Sequence, residues 1–202
     1  DFAKFHNRKY GLMTPNCTTA LHLVMHSLGV SKGYNVANQE CTWVAAAAAV
    51  RYTGAKNNFI DIEKDTWCMC PSDLEKKINK KTKAILVSDV YGNMPKMNKL
   101  IKISKKYNIP IVEDAAEALG SLYKNKRAGS FGIASTFSFH RTKTLTTGEG
   151  GMIVTNDKKL YEKVYSKELR KRKSTIIFTS SVVTGLLGPL LYISAVVSGL
   201  SF

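Results

Sequence analysis

Two stretches of this chain carry residue types that can do covalent chemistry at a defined spacing. The apolar run Ile109-Pro110-Ile111-Val112 ends in Glu113-Asp114-Ala115-Ala116-Glu117. A second run, Ser135-Thr136-Phe137-Ser138-Phe139-His140, leads into Arg141-Thr142-Lys143 and then into Gly148, Gly150 and Gly151. An acid at the end of one strand and a lysine just past another are what a pyridoxal phosphate site requires. The lysine forms a Schiff base with the aldehyde, and the ionised acid keeps the pyridine nitrogen protonated so that the ring acts as an electron sink. Lys143 and Asp114 are the candidates, and Glu117 could reach the phenolic oxygen of such a cofactor. Each has a plainer alternative. Asp114 could cap the following turn, Glu117 could face solvent, and Lys143 is one of 30 lysines and arginines, most of which must be exposed.

A phosphate group needs its own cradle. Asn16-Cys17-Thr18-Thr19-Ala20 precedes a helical pattern, and the backbone N–H groups at a helix start attract anions. The same residues also read as an ordinary cap. Ser138 could add a hydroxyl to that phosphate or merely alternate outward on its strand. Trp43, near another helix start, could stack on a pyridine ring or fill the core.

Helical and extended segments alternate, which predicts an α/β sandwich with a mainly parallel sheet. Thr18 to Leu28 reads as a helix with Leu21, Val24, Met25 and Leu28 on one stripe, stopped by Gly29. Thr42 to Tyr52 is an alanine-rich helix. Ser72-Asp73-Leu74-Glu75 reads as a capping box opening a helix to about Lys80. A further helix follows Pro95 to about Tyr107, and a charged one runs from Asp157 to about Arg172. Strands are expected at Asn58 to Ile62, Ala84 to Val87, Ile109 to Val112, Ser135 to Phe139 and Gly151 to Thr155. Asp114 then sits at the strand edge where ligands bind in an open α/β sheet.

With 202 residues, the chain is long enough for one domain with a substantial core. The net charge of +15 is high, and such an excess could mark nucleic acid, an anionic membrane surface or a phosphorylated substrate. The lysines, however, scatter over presumptive helix faces such as Lys76-Lys77 and Lys105-Lys106 without interleaved aromatics, so no nucleic-acid partner is expected. Cys17, Cys41, Cys68 and Cys70 lack a zinc-ligand complement and read as free thiols of a reducing, cytoplasmic setting; no metal is expected. Asp1 to Phe5 contains no apolar core of a signal peptide. Composition breaks sharply after Lys173. Residues 174–202 carry no charge behind the basic flank Arg170-Lys171-Arg172-Lys173, which reads as a reading-frame change or as a membrane-spanning segment.

Taken together, these segments resemble the DegT/DnrJ/EryC1/StrS family of sugar aminotransferases, from about Tyr10 to about Val164. The resemblance rests on Asn16 to Leu23, Cys41-Thr42-Trp43-Val44-Ala45, Val90-Tyr91-Gly92-Asn93, Glu113 to Ser121, Ser130-Phe131-Gly132 and Ser138 to Lys143. It implies a three-layer αβα large domain of the fold-type I pyridoxal phosphate transferases over 1–173. Lys143 would hold the cofactor and shuttle a proton, Asp114 would pair with the ring nitrogen and Glu117 with the phenolic oxygen. Trp43 would cover one ring face, while Thr18, Thr19 and Ser138 would bind phosphate. The wording lies nearest the branch that forms GDP-perosamine, which aminates the 4-keto group of a GDP-linked 6-deoxy sugar with glutamate for glycan precursors. A related dehydratase branch carries histidine in place of the lysine, so Lys143 favours transamination. The likeness also implies a homodimer. Cys17 departs from the family's usual glycine, and the family's small C-terminal domain has no counterpart here. A catalytically inactive, membrane-tethered remnant acting by binding is the alternative reading.

Overall fold

The computed structural model describes residues 1–166. The uncharged segment 174–202, and with it the expectation of a membrane span, lies outside them. Among the described residues no helix is long and apolar enough to cross a membrane.

In chain order the elements are α1 (Phe2–Phe5), β1 (Tyr10–Thr14), α2 (Cys17–Ser27), β2 (Asn35–Gln39), α3 (Val44–Tyr52), β3 (Lys56–Ile60), α4 (Pro71–Lys77) and β4 (Thr82–Ser88). After a 3₁₀ turn at Val90–Gly92 come α5 (Met97–Tyr107), β5 (Ile111–Asp114), the small hairpin β6 (Leu122–Tyr123) and β7 (Lys126–Arg127), then β8 (Ala134–Ser138) and β9 (Gly151–Thr155). The chain is helical again from residue 158. Asp157 starts that helix, its carboxylate accepting the Leu160 N–H at 3.0 Å.

Seven strands form one sheet in the order β1-β9-β8-β5-β4-β2-β3. The pairs β8–β5, β5–β4, β4–β2 and β2–β3 are parallel, and β9 is antiparallel to both neighbours. Only β9 therefore runs against the rest, and the expected mainly parallel α/β sheet is borne out.

Alternation along each strand divides the core in two. Val36, Ala84, Leu86, Val112 and Ala134 pack with Leu21, Val24 and Met25 of α2, Ala46 and Ala49 of α3, and Leu160 and Val164. Ala37, Ile85, Val87 and Ile111 face the other way, against Leu74 of α4 and Met97, Leu100 and Ile103 of α5. Helices thus cover both faces, as a sheet with two apolar faces demands. The alanines of α3 let its backbone approach that sheet closely.

Several boundaries differ from the sequence expectation. Pro71 occupies the first turn of α4 with Cys70 at the N-cap, so Ser72 lies inside the helix and no capping box forms. Asp73 instead accepts the Asp61 N–H at 2.8 Å and pairs with Lys77 at 2.8 Å. The third strand is Lys56–Ile60, two residues earlier than read, because its ladder to β2 sets the register. The strand before the acids is Ile111–Asp114, which makes Asp114 its last residue. Strands β1 and β2 lack an apolar run, and Asn38 and Gln39 are buried polar residues. Gln39 is satisfied by the Cys41 and Trp67 carbonyls and the Met69 N–H.

Candidate active site

The strand ends β4, β5 and β8 open into a cavity of about 620 Å³, closed by the start of α2, the Trp43 segment and the loop 139–150. Thr18, Trp43, Asp114, Glu117, Ser138 and Lys143 all line it. Residues far apart in sequence therefore meet at one site. Thr19 does not line the cavity; its N–H is bound by the Asn16 side chain at 2.8 Å.

Asp114 is buried at the floor. Its Oδ1 accepts the Ala116 N–H at 3.2 Å and the Cys17 thiol at 3.7 Å. The first of these bonds is the local turn contact that sequence alone allows, yet the carboxyl also faces the cavity. Burial pushes it up to about 6, opposed by those two donors and by the positive charge of Lys143. Glu117 does not simply face solvent. Its Oε1 lies 2.8 Å from Lys143 Nζ, and Oε2 accepts the Tyr91 N–H at 3.0 Å. Burial works to raise this carboxyl, but Lys143 and the Tyr91 N–H outweigh it and hold it below the usual range.

Lys143 is held by the fold of its loop. Phe139 N–H donates to the Gly150 carbonyl at 2.9 Å, and Thr147 N–H returns to the Phe139 carbonyl at 3.0 Å. Lys143 N–H closes a short turn on the His140 carbonyl at 2.9 Å. The tip is exposed, but the Lys143 side chain is only 20% exposed. Trp43, far from being a core residue, is 73% exposed at the N-cap of α3. Ser138 Oγ accepts the His140 N–H at 3.3 Å.

Helix α2 begins against the sheet. A side chain at Gly151 would stand 2.5 Å from the Asn16 carbonyl carbon and 2.7 Å from the Cys17 nitrogen. Glycine is required there by close backbone approach. The first turn of α2 carries no acid, so nothing on it repels an anion at its open N–H groups.

Behind the floor, on the other sheet face, lies a buried polar cluster that sequence reasoning missed. Glu113 accepts the Gly129 N–H at 2.6 Å, the Phe131 N–H at 3.0 Å and the Ser135 hydroxyl at 2.9 Å. Arg8 donates to the carbonyls of Gly129 at 2.8 Å and Gly132 at 3.2 Å, to the Phe131 carbonyl and to Ser135 Oγ at 3.2 Å. Asp89, which also borders the cavity, is buried beside Glu113, and burial together with the Glu113 charge pushes its carboxyl well up. The Ser130-Phe131-Gly132 segment was the available signal. Its partner Arg8 lies over 120 residues away, and no local pattern links the two.

Comparison with known proteins fits this geometry. The chain is 46% identical over 162 residues to a GDP-perosamine synthase of Escherichia coli O157:H7, covering 80% of this chain and 44% of that protein. A solved aminotransferase from Psychrobacter cryohalolentis superposes with a TM-score of 0.79 at 32% identity, covering 81% of this chain and 42% of that one. The E. coli GDP-4-keto-6-deoxy-D-mannose-3-dehydratase with bound hydrated PLP superposes with a TM-score of 0.74 at 31% identity, covering 79% and 43%. The chain thus spans less than half the length of the relatives it matches. The sheet is that of the fold-type I transferases, whose cofactor is pyridoxal phosphate. With residues 1–178 matching its sequence model, the chain belongs to the DegT/DnrJ/EryC1/StrS aminotransferase family.

Proposed function

We propose that this chain supplies the cofactor-binding large domain, residues 1–173, of an enzyme that moves an amino group from glutamate to the keto group of a nucleotide-linked deoxy sugar. The carrying observation is the meeting of Lys143, Glu117 and Asp114 on one cavity, with a helix start opposite them. Pyridoxal phosphate, when bound, supplies the electron sink that lets an amino group leave one substrate and join another.

The residues present fit that group. A buried acid and a half-buried lysine stand across a cavity whose lining includes the buried Ser88 hydroxyl, which has no hydrogen-bond partner among the described residues. Lys143 Nζ would be the amine that holds the cofactor's aldehyde carbon and carries the proton. Asp114 would hold the proton on the ring nitrogen, and Glu117 would orient the lysine and bond the phenolic oxygen. Thr18, Ser138 and the open N–H groups of α2 would hold the phosphate, with Thr19 next to Thr18 at the same helix start. Trp43 would cover one ring face and exclude water.

The GDP-linked 4-keto-6-deoxy sugar is the favoured substrate, supported by the 46% identity to a GDP-perosamine synthase. The cytoplasm is the favoured setting, supported by the free thiols of all four cysteines, and a homodimer is favoured by the family resemblance alone. The test is covalent trapping. After incubation with pyridoxal phosphate and reduction with borohydride, peptide mapping is expected to find the label on Lys143. Label on any other lysine would overturn the assignment.

A further inference from the structure

Ser88, Asp114 and Thr136 sit opposite one another on three adjacent parallel strands. Ser88 pairs in register with Asp114, and Asp114 with Thr136. All three side chains therefore share the cavity-facing side of the sheet. Cys17, in the first turn of α2, closes over the same point with its thiol 3.7 Å from Asp114 Oδ1. Thr136 stands beside that thiol, fully buried, with its hydroxyl next to the Cys17 sulfur. Both donors to Asp114, the Ala116 N–H and the Cys17 thiol, fall on Oδ1. Among the described residues no hydrogen bond reaches Oδ2.

A carboxylate pinned by two donors on one oxygen can no longer rotate freely. The opposite oxygen is then the one offered to the cavity, and donors on the carboxylate favour its ionised form. We propose that Cys17 is a positioning residue that acts through Asp114, fixing Oδ1 so that Oδ2 can meet a protonated heteroaromatic nitrogen, with the neighbouring Thr136 hydroxyl steadying the thiol. This rests on the cofactor reading above. Cys17 is more than a small core side chain, because the bond it makes is directed at Asp114, a buried acid of the cavity.

The groups that face Asp114 set what a titration must separate. They are Cys17 from α2, Lys143 from the 139–150 loop, Glu117 beyond β5 and Asp89 beyond β4. The Cys17 variants leave all the other groups in place, and Thr136→Val changes no charged group.

The experiment follows the Asp114 carboxyl by carbon NMR in the cofactor-free chain, and pyridoxal phosphate affinity in parallel. Cys17→Ala is expected to move the Asp114 titration to higher pH and to weaken cofactor binding about fivefold to tenfold, as expected for a lost donor to a charged acceptor. Cys17→Ser, which keeps a donor, is expected to restore both to within about twofold to threefold. Thr136→Val, similar in size but without the hydroxyl, is expected to shift both readings the same way as Cys17→Ala by a smaller factor, and it keeps the question open to test if Cys17→Ala misfolds. Equal losses in Cys17→Ala and Cys17→Ser, or an unmoved Asp114 titration in both, would overturn the proposal. Because that titration needs no cofactor, its outcome stands apart from borohydride labelling of Lys143, on which the parent reading alone depends.

Discussion

Lys143 and Glu117, 26 positions apart in the chain, form an ion pair with Nζ 2.8 Å from Oε1, and their side chains are only 20% and 30% exposed. The other oxygen of Glu117 is tied to the Tyr91 N–H, in a turn where Tyr91 has φ 51°. The acid therefore joins the lysine loop to the β4 side of the cavity. Glu117→Gln keeps the size and the Tyr91 bond but removes the charge. It is expected to leave the melting temperature nearly unchanged and to weaken cofactor retention by about 1–2 kcal/mol, roughly 5- to 30-fold. Equilibrium dialysis of pyridoxal phosphate reads this directly.

Asp114 gives the site a pH signature. Its buried carboxyl titrates near 6 rather than at the usual carboxylate value. In the cofactor-free chain the folded state holds this proton more tightly than the unfolded chain does. Stability from this group is therefore full at low pH and is lost as pH rises from about 4 to about 6, a change of about 3 kcal/mol. In the proposed arrangement, bound cofactor would set a positive ring nitrogen against the carboxylate and offset that loss. The rise in melting temperature on adding pyridoxal phosphate is expected to be larger at pH 8 than at pH 5, and in Asp114→Asn to be small and flat with pH.

Arg8 anchors the chain's beginning to the segment behind the floor. Arg8→Met would leave the carbonyls of Gly129, Phe131 and Gly132 without their donor and Glu113 without its counter-charge. A loss of about 3–5 kcal/mol is expected, measured by urea denaturation.

Gly151 tests the phosphate end. Gly151→Ala forces its new methyl against the backbone of Asn16 and Cys17, which cannot yield as a side chain would. About 1–3 kcal/mol of stability is expected to go, as for other overpacked positions. Cofactor affinity is expected to fall further than in Glu117→Gln, because the start of α2 itself moves. Parallel thermal melts and cofactor titrations separate the two effects.

Much of this was legible in the sequence because it is local. The apolar runs Ala84 to Val87 in β4 and Ile111-Val112 in β5, the helix stripes of α2 and α5, and the acids and lysine at or just past strand ends all follow short-range patterns. Trp43 was left open between ring stacking and core, since only the fold sets its exposure. Strand β2 stayed hidden because Asn38 and Gln39 are polar yet buried, their partners coming from elsewhere in the chain. The capping box failed because Pro71 starts the helix two residues earlier than a Ser72 cap requires. The Arg8–Glu113 cluster and the row Ser88, Asp114, Thr136 depend on pairings across 22 to more than 120 positions. No window of neighbouring residues contains them.

The lone reversed strand has a lasting consequence for how the chemistry is housed. Because β9 returns directly beside β8, with Ser138 opposite Gly151, Lys143 rides on a hairpin rather than on a crossover helix. The twelve residues between the strands can be lengthened, shortened or rewritten without re-threading the sheet. What that loop carries can therefore change while the platform beneath keeps its architecture.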